Sequence, residues 1–423
     1  MVKSRSGRAW RRPALFGLSV LSCGLLAACG GSSPTVPTPV APGPTPTTPT
    51  PAPEPAGFLH LQQGSSVITY AIDGATGRLR ESTRQGLGDA SLMVGEPQGR
   101  YVFAAYDDPG QIVAYAPDPS SGSLMARSVA EAGTNWTSLS ASSTRLYATL
   151  YYFSGAHFYP SYVSYAVESE GQLGLPSVEY FEFDTVPSVA VDVDSDPAVL
   201  YKSTETGGLT AHVVDPDGTL TQMGGSHLCL ASSMDYAEPL VAARGFLLAS
   251  AHLPASQPYG PSTESVCSWE GPRLAPRANL GVDADYAVAL TPRRGSSVSS
   301  SAVGPATLVA MRTWYSVGHG LHPEKKPQVG LFAMSDDGDL EPLDTVESEC
   351  AMRMLFHPSG RFLYVSHSGN CWPDLPGWRR LPESLSLYSI DAQGHLGLVE
   401  TLEGAGGLMA ITTPAVAAST PGR

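Results

Sequence analysis

The sequence has no stretch in which apolar residues recur every three or four positions over the length of an amphipathic helix, so a helical protein is excluded. It is also poor in charge. Only 15% of residues are charged, against 44 glycines and 37 prolines in 423 residues, a balance that suits many short strands joined by turns. There is no Gly-x-Ser-x-Gly nucleophile elbow, no His-Glu-x-x-His, no Walker loop and no dinucleotide fingerprint, which leaves the corresponding hydrolase, metallopeptidase and nucleotide chemistries without support. Cys-x-x-Cys pairs are missing too, and with them the usual frame of a zinc site. Basic residues are scarce, 25 against 39 acidic, which argues against nucleic acid and anionic lipid as partners for the body of the chain.

What is present is a repeat. Short apolar segments begin at Phe58, Tyr101, Leu146, Val199, Phe246, Thr307 and Phe362, about 43 to 61 residues apart, the length of one four-stranded propeller blade with room for insertions. Most are followed by a segment that alternates apolar and polar residues and turns at Asp or Ser with Gly, as in Val67 to Leu79, Ile112 to Leu124 and Val163 to Leu173. Further copies run from Leu209 to Leu220, Val329 to Leu340 and Leu385 to Leu396, with a degraded one near Val266 to Leu280. This is hairpin chemistry. The repeat predicts an all-β, seven-bladed β-propeller over residues 57–414, followed by a flexible tail at 415–423. Gly407 to Thr412 matches an inner strand with no successor, and Phe58 to Leu61 a second strand with no predecessor, so pairing of the two is expected to close the ring.

The first 28 residues have the layout of a secretory signal: Lys3, Arg5, Arg8, Arg11 and Arg12, then an apolar run from Ala14 to Ala28 too short for a convincing membrane span. Leu26-Ala27-Ala28-Cys29-Gly30 resembles the bacterial lipobox, which implies lipidation of Cys29 and cleavage before it. Cleavage would remove five basic and no acidic residues, taking the formal charge from −14 to −19. Residues 29–56 are rich in Pro, Thr and Ser and read as an extended stalk, reaching up to roughly 80 Å. The expected location is the cell envelope, lipid-anchored at the outer membrane, with the head in the periplasm or at the surface.

In an oxidising compartment Cys229, Cys267, Cys350 and Cys371 remain for pairing, with three connectivities open. Cys229 and Cys350 both precede an inner strand, and Cys267 and Cys371 both follow the next strand, so equivalent positions predict Cys229–Cys267 and Cys350–Cys371. The longest insertions, Tyr151 to Tyr162, His252 to Ser265, Arg312 to Gln328 and His367 to Ser384, all fall between the second and third strands of a blade, on one rim. Loops elaborated on one rim of a rigid scaffold are where binding resides.

The segment from Phe356 to His367, Phe-His-Pro-Ser-Gly-Arg-Phe-Leu-Tyr-Val-Ser-His, resembles the lactonase-type seven-bladed propeller family, which includes 6-phosphogluconolactonases and muconate-lactonizing enzymes. The hairpin from Ser389 to Leu396 is similar to the same family's repeat, and weaker copies cover residues 57 to 414. The resemblance implies a propeller fold and, as an activity, hydrolysis of a lactone ring.

Lactone hydrolysis needs a base and a cation near the carbonyl oxygen. Glu349 and Arg353 flank the start of one inner strand, His367 ends the adjacent second strand and Arg312 ends another. The same residue types also serve as ion pairs between blades. His319 and His322 form the one cluster with metal-ligand character, readable as a divalent-metal site or a solvated loop. Trp136, Tyr151, Tyr152, Trp314, Tyr315, Trp372 and Trp378 either stack on a sugar or peptide or cover the rim between blades. No cofactor is expected, a divalent metal being the alternative. Export removes the chain from phosphorylated sugar intermediates, so the leading expectation is an anchored binding or scaffolding head for a glycan, peptide or protein. An exported lactonase-like hydrolase is the alternative.

Overall fold

The structure, a computed structural model, describes residues 55–413 apart from 132, 155–156, 181–188, 194, 204–208, 227–235, 244, 253–263, 271–274, 280–283, 291–306, 314–327, 336–337, 349–350 and 368–381. The described residues form 28 strands and one short 3-10 turn, Ser169–Gly171. The strands make seven four-stranded sheets, all antiparallel. We number the sheets by the chain order of their second strands. Their innermost strands, from the first sheet to the seventh, are Leu408–Thr412, Leu92–Gly95, Trp136–Ala141, Val189–Asp192, Tyr236–Ala243, Ala284–Leu290 and Ala351–Phe356. Each inner strand neighbours the next, and Ala351–Phe356 neighbours Leu408–Thr412, so the sheets follow one another around a closed cycle. This is a β-propeller, with the sheets as blades.

The recurring Gly of the sequence is explained where one sheet meets the next. Asp118 starts the turn between third and fourth strands of the second sheet, its carboxylate accepting from the Ser120 and Ser121 amides at 3.0 and 2.9 Å. Those hydrogen bonds, with the two serine hydroxyls, pull its pKa down to about 2. Gly122 then closes the turn at φ +71° with its α-carbon against the ring of Phe58 in the preceding sheet. A Cβ there would lie 2.5 Å from the Phe58 ring and 2.7 Å from Thr69. Gly77 meets Phe362 of the seventh sheet in the same way, at 2.6 Å. A tight turn and an aromatic at the start of each neighbouring strand are thus two halves of one contact. Gly122→Ala is expected to cost on the order of 2–4 kcal/mol, combining a left-handed backbone with overpacking. Gly64→Ala, at φ +51° with nothing within 4 Å, should cost about 1 kcal/mol. Urea midpoints of the two variants test the difference.

A second device repeats beside the first. The backbone N–H that opens an outer strand donates to a polar side chain on the outer strand of the preceding sheet: Leu79 to Glu400 at 2.9 Å, Leu124 to Gln85 at 2.7 Å, Leu173 to Ser128 at 3.1 Å and Leu396 to Asp344 at 2.7 Å. Every pairing of third with outer strand also carries a register shift, from Thr69/Tyr70 in the first sheet to Leu387/Tyr388 in the seventh. Such bulges twist an exposed edge and blunt it against pairing with another chain.

In the first sheet the two ends of the propeller meet. Gly57–Gln63 pairs with Leu408–Thr412 on one side and Ser66–Ile72 on the other. Leu59, Leu61, Met409 and Ile411 are buried in one cluster with Tyr364 and Leu387 of the seventh sheet. His60 ties three strands through side chains, with Nδ1 3.0 Å from Thr69 Oγ1 and Nε2 2.8 Å from Thr412 Oγ1. Both ends leave on one face: Gly57 is opposite Ile72, next to the Asp73 to Arg78 turn, and Thr412 is opposite Phe58. Second strands end and third strands begin on the other face.

Complete burial lowers the His60 pKa from 6.5 to about 3. The folded protein holds this imidazole neutral, whereas the unfolded chain protonates it as pH falls below about 6.5. Its contribution to stability is therefore full above that pH and is lost progressively towards pH 3. His212, lowered to about 4 by burial and then by Lys202, acts in the same direction. The urea midpoint should fall between pH 7 and pH 4, and His60→Gln should flatten that slope without abolishing it. An unchanged slope in the variant would remove His60 from the account.

The third sheet departs from the sequence expectation. Tyr151 to Tyr162 was expected as a loop, but Arg145–Ser154 and Val163's strand, His157–Val167, form one long hairpin paired from Ala166↔Arg145 to His157↔Ser154. The inner strand stops opposite Leu150 and the outer strand opposite Ser161, so the last four pairs project beyond the sheet by about 13 Å. The aromatic, uncharged composition of Tyr151-Tyr152-Phe153 and Phe158-Tyr159 favours strand over loop.

Candidate functional site

The insertion-bearing face has a second mark of specialisation. In the third, fifth, sixth and seventh sheets the pairing of inner with second strand is interrupted, leaving Thr137, Leu240, Tyr286 with Ala287, and Met352 as extra residues. The first, second and fourth sheets pair without interruption. Three of the four interrupted sheets carry long second-to-third connections, and the other, the third, carries the projecting hairpin. Bulges gather beside binding sites because they re-aim side chains and end regular pairing.

Register then shows which inner-strand residues share a level. Tyr70, Tyr115, Phe332 and Tyr388 each follow an outer bulge and pair with Leu59, Val102, Val309 and Leu363, which sets the sheets in common register. Three residues further along the second strand are Gln62, Ala105, Thr149, Ser250, Arg312 and Ser366. Their inner-strand partners are Leu408, Leu92, Ser138, Glu238, Asp285 and Arg353. Two carboxylate residues and a guanidinium therefore occupy one level on three consecutive inner strands, those of the fifth, sixth and seventh sheets.

Arg353 is the centre of this group. It is exposed to solvent, yet surrounding protein lowers its pKa, and burial is the whole cause. It is on the innermost strand of the seventh sheet, Ala351–Phe356. Among the described residues Arg353 makes no hydrogen bond or ion pair. Enclosed cations are normally paired. Beside it the bulged Met352 is 46% exposed.

The other residues expected in catalysis are distributed differently. Arg312 is buried between the sixth and seventh sheets, donating to the Ala351 carbonyl at 2.8 Å and touching Met352 Sδ at 3.7 Å. It holds the seam that presents Met352 and Arg353. His367 is buried opposite Ala351, its Nε2 3.1 Å from Ser386 Oγ, which in turn lies 3.3 Å from Thr401 Oγ1. The structure thus gathers Arg312, Arg353 and His367 at one seam, and of the three Arg353 is the exposed one. Glu349 lies outside the described residues.

Trp136, expected either to stack on a ligand or to cover the rim between blades, does not stack: it is 7% exposed in the core between the second and third sheets, its indole N–H donating to Tyr106 O at 3.2 Å. Asp107, which accepts from the Trp136 amide at 3.3 Å, anchors the same connection. Tyr151 is on the projecting hairpin. Trp314, Tyr315, Trp372, His319 and His322 lie outside the described residues, as do Cys29, Cys229, Cys350 and Cys371. Cys267 is on the strand Glu264–Glu270. Among the described residues there is no cluster of His, Cys, Asp and Glu able to hold a metal, and no helix long and apolar enough to cross a membrane.

The arrangement has counterparts among solved structures. A proposed 6-phosphogluconolactonase from Bacteroides fragilis superposes with TM-score 0.57 at 14% identity, covering 86% of this chain and 99% of that one. The periplasmic gluconolactonase of Pseudomonas aeruginosa gives 0.55 at 16% identity, with 84% and 99% covered. The fold is that of 6-phosphogluconolactonase-like propellers. A further proposed 6-phosphogluconolactonase, from Bacteroides uniformis, gives 0.56 at 13% identity over 84% and 100% of the two chains. No protein-family model and no curated protein sequence matches the chain. At these identities the likeness concerns the propeller itself, and the residues of the channel must speak for its chemistry.

Proposed function

We propose that the protein is an exported lactonase-like hydrolase that opens a cyclic ester at the mouth of its central channel. The observation that carries this reading is the guanidinium of Arg353, which makes no hydrogen bond or ion pair among the described residues and stands level with Glu238 and Asp285 on the inner strands of the two neighbouring sheets. Glu238 or Asp285 takes a proton from water as its oxygen bonds to the lactone carbonyl carbon. Arg353 stabilises the negative charge that develops on the carbonyl oxygen. The ring carbon–oxygen bond then breaks, the leaving alkoxide regains a proton, and the product is a hydroxy acid that releases one proton at neutral pH. None of these steps calls for a cofactor. The fold shared with a periplasmic gluconolactonase supports the same chemistry and an envelope location.

The reading extends to the whole chain. Cys29 carries lipid at the outer membrane, residues 29–56 form the stalk, and the disulfides Cys229–Cys267 and Cys350–Cys371 stiffen the insertion face. Seven blades, closed in the first sheet, make the head. Proton release measured on a panel of γ- and δ-lactones tests the activity, and no turnover of any of them would overturn it. A second reading, a binding or scaffolding head for a glycan, peptide or protein, is favoured by the hairpin Arg145–Val167, which projects from the rim beyond its own sheet.

A further inference from the structure

Oxidisable sulfur is unevenly placed on this protein. Of the described methionines, Met311, Met334, Met354 and Met409 are buried and Met93 is half-buried, while Met125, Met223 and Met352 are 43%, 53% and 46% exposed. Met125 and Met223 are on outer strands, Leu124–Glu131 and Leu220–Ser226, at the perimeter of the propeller. Met352 is on an inner strand, one residue before Arg353. It is the extra residue where the pairing passes from Ala351↔His367 to Arg353↔Ser366. Met352 and Arg353 are exposed together between buried Ala351 and Met354, so the bulge presents the two side chains side by side.

The sulfur of Met352 has a defined neighbour. Arg312 Nη1, which carries two hydrogens, lies 2.8 Å from the Ala351 carbonyl oxygen and 3.7 Å from Met352 Sδ, and donates to both. A thioether is a weak acceptor. Arg312 is 8% exposed and fixed by its bond to the backbone, so an oxygen added to this sulfur would form against a cation already in place.

We propose that Met352 is a reversible oxidation site, converted to its sulfoxide by a hydroperoxide such as hydrogen peroxide. The sulfur lone pair attacks one peroxide oxygen, the oxygen–oxygen bond breaks, and the departing hydroxide takes the proton from the transferred oxygen. Sulfur loses two electrons and the peroxide gains them, giving methionine sulfoxide and one water. The sulfoxide oxygen then accepts the Arg312 N–H in place of sulfur. Methionine oxidation ordinarily disrupts packing, because an apolar side chain becomes polar. At Met352 the polar product gains a charge-assisted hydrogen bond instead. An exported head is outside the glutathione- and thioredoxin-buffered cytosol. The consequence for turnover rests on the hydrolysis proposed above. A sulfoxide one residue from Arg353 puts an acceptor at the level of Glu238 and Asp285, where it draws on the field that the developing oxyanion needs. Oxidation therefore slows turnover, and reduction restores it.

Peptide mass mapping of the full chain after graded hydrogen peroxide tests the site. Met352 should gain one oxygen at least as readily as Met125 and Met223, with Met311, Met334, Met354 and Met409 still reduced. Met352 left reduced while the two perimeter methionines are oxidised overturns the proposal. The bond to Arg312 is read from melting: the shift on peroxide treatment should be no more negative in wild type than in Met352→Leu, and a larger fall in wild type overturns it. Lactone turnover should drop about threefold or more on oxidation, recover with the two methionine sulfoxide reductases, and show no such drop in Met352→Leu. An equal drop in Met352→Leu overturns the link to Arg353. If no lactone is turned over before treatment, the hydrolysis fails, and the mass map and melting shift still decide the oxidation site.

Discussion

Arg353→Met should lower kcat/KM for a lactone by roughly a hundredfold or more, the usual cost of removing a preorganised oxyanion-stabilising group. The effect is expected to be large because Arg353 supplies the charge set against the developing oxyanion. It is expected to be selective because the guanidinium makes no hydrogen bond or ion pair among the described residues, so the variant should melt at or close to the wild-type temperature. Arg353→Lys keeps the charge but not the planar donor fork, and should recover part of the activity. Arg312→Met is the contrasting case. That side chain is buried and holds the Ala351 carbonyl, so its loss should lower the melting temperature together with activity. Unchanged turnover in Arg353→Met would remove the proposed mechanism outright.

Deleting residues from 405 to the end should leave a chain that neither folds cooperatively nor stays soluble, although it removes under a twentieth of the sequence. The deletion strips Gly57–Gln63 of its partner Leu408–Thr412 and takes Thr412 from His60. It also removes Met409 and Ile411 from the cluster formed with the seventh sheet. Fully burying side chains of that size is worth about 1.5–3 kcal/mol each. With an interior strand turned into an apolar edge, the total is comparable to the whole stability of an ordinary domain, about 5–15 kcal/mol. Size-exclusion chromatography and a thermal melt would decide, and a soluble, cooperatively melting product would show that the sheets hold together without this strand.

Much of the fold was legible in the sequence because its local demands are chemical. Gly77 and Gly122 stand where only a residue tolerant of positive φ can close the turn, and the aromatics at Phe58 and Phe362 mark the surfaces those turns pack on. The site was less legible. Arg353 could be named as a cation at the start of an inner strand, but Glu238 and Asp285 could not be set beside it. Their level depends on how many residues each bulge adds to the inner strand, and bulges leave no fixed signature in a sequence. Trp136 stayed open between two readings for a related reason: proximity to a rim in sequence does not say whether a ring turns outward or into the core. His60 had a visible signal, a polar residue inside Phe58-Leu59-His60-Leu61, and only the pairing with Thr412 shows that it holds the closing strand.

The way the first sheet is woven also sets how the protein meets mechanical force. Tension on the segment before Gly57 is directed along the strand Gly57–Gln63, whose neighbours grip it from both sides, at seven paired positions with Ser66–Ile72 and five with Leu408–Thr412. Such a load acts in shear: the hydrogen bonds must yield together, where a strand pulled sideways would give them up one at a time. A head held by its N-terminal segment in moving fluid would therefore be pulled against the strongest direction of its own closure.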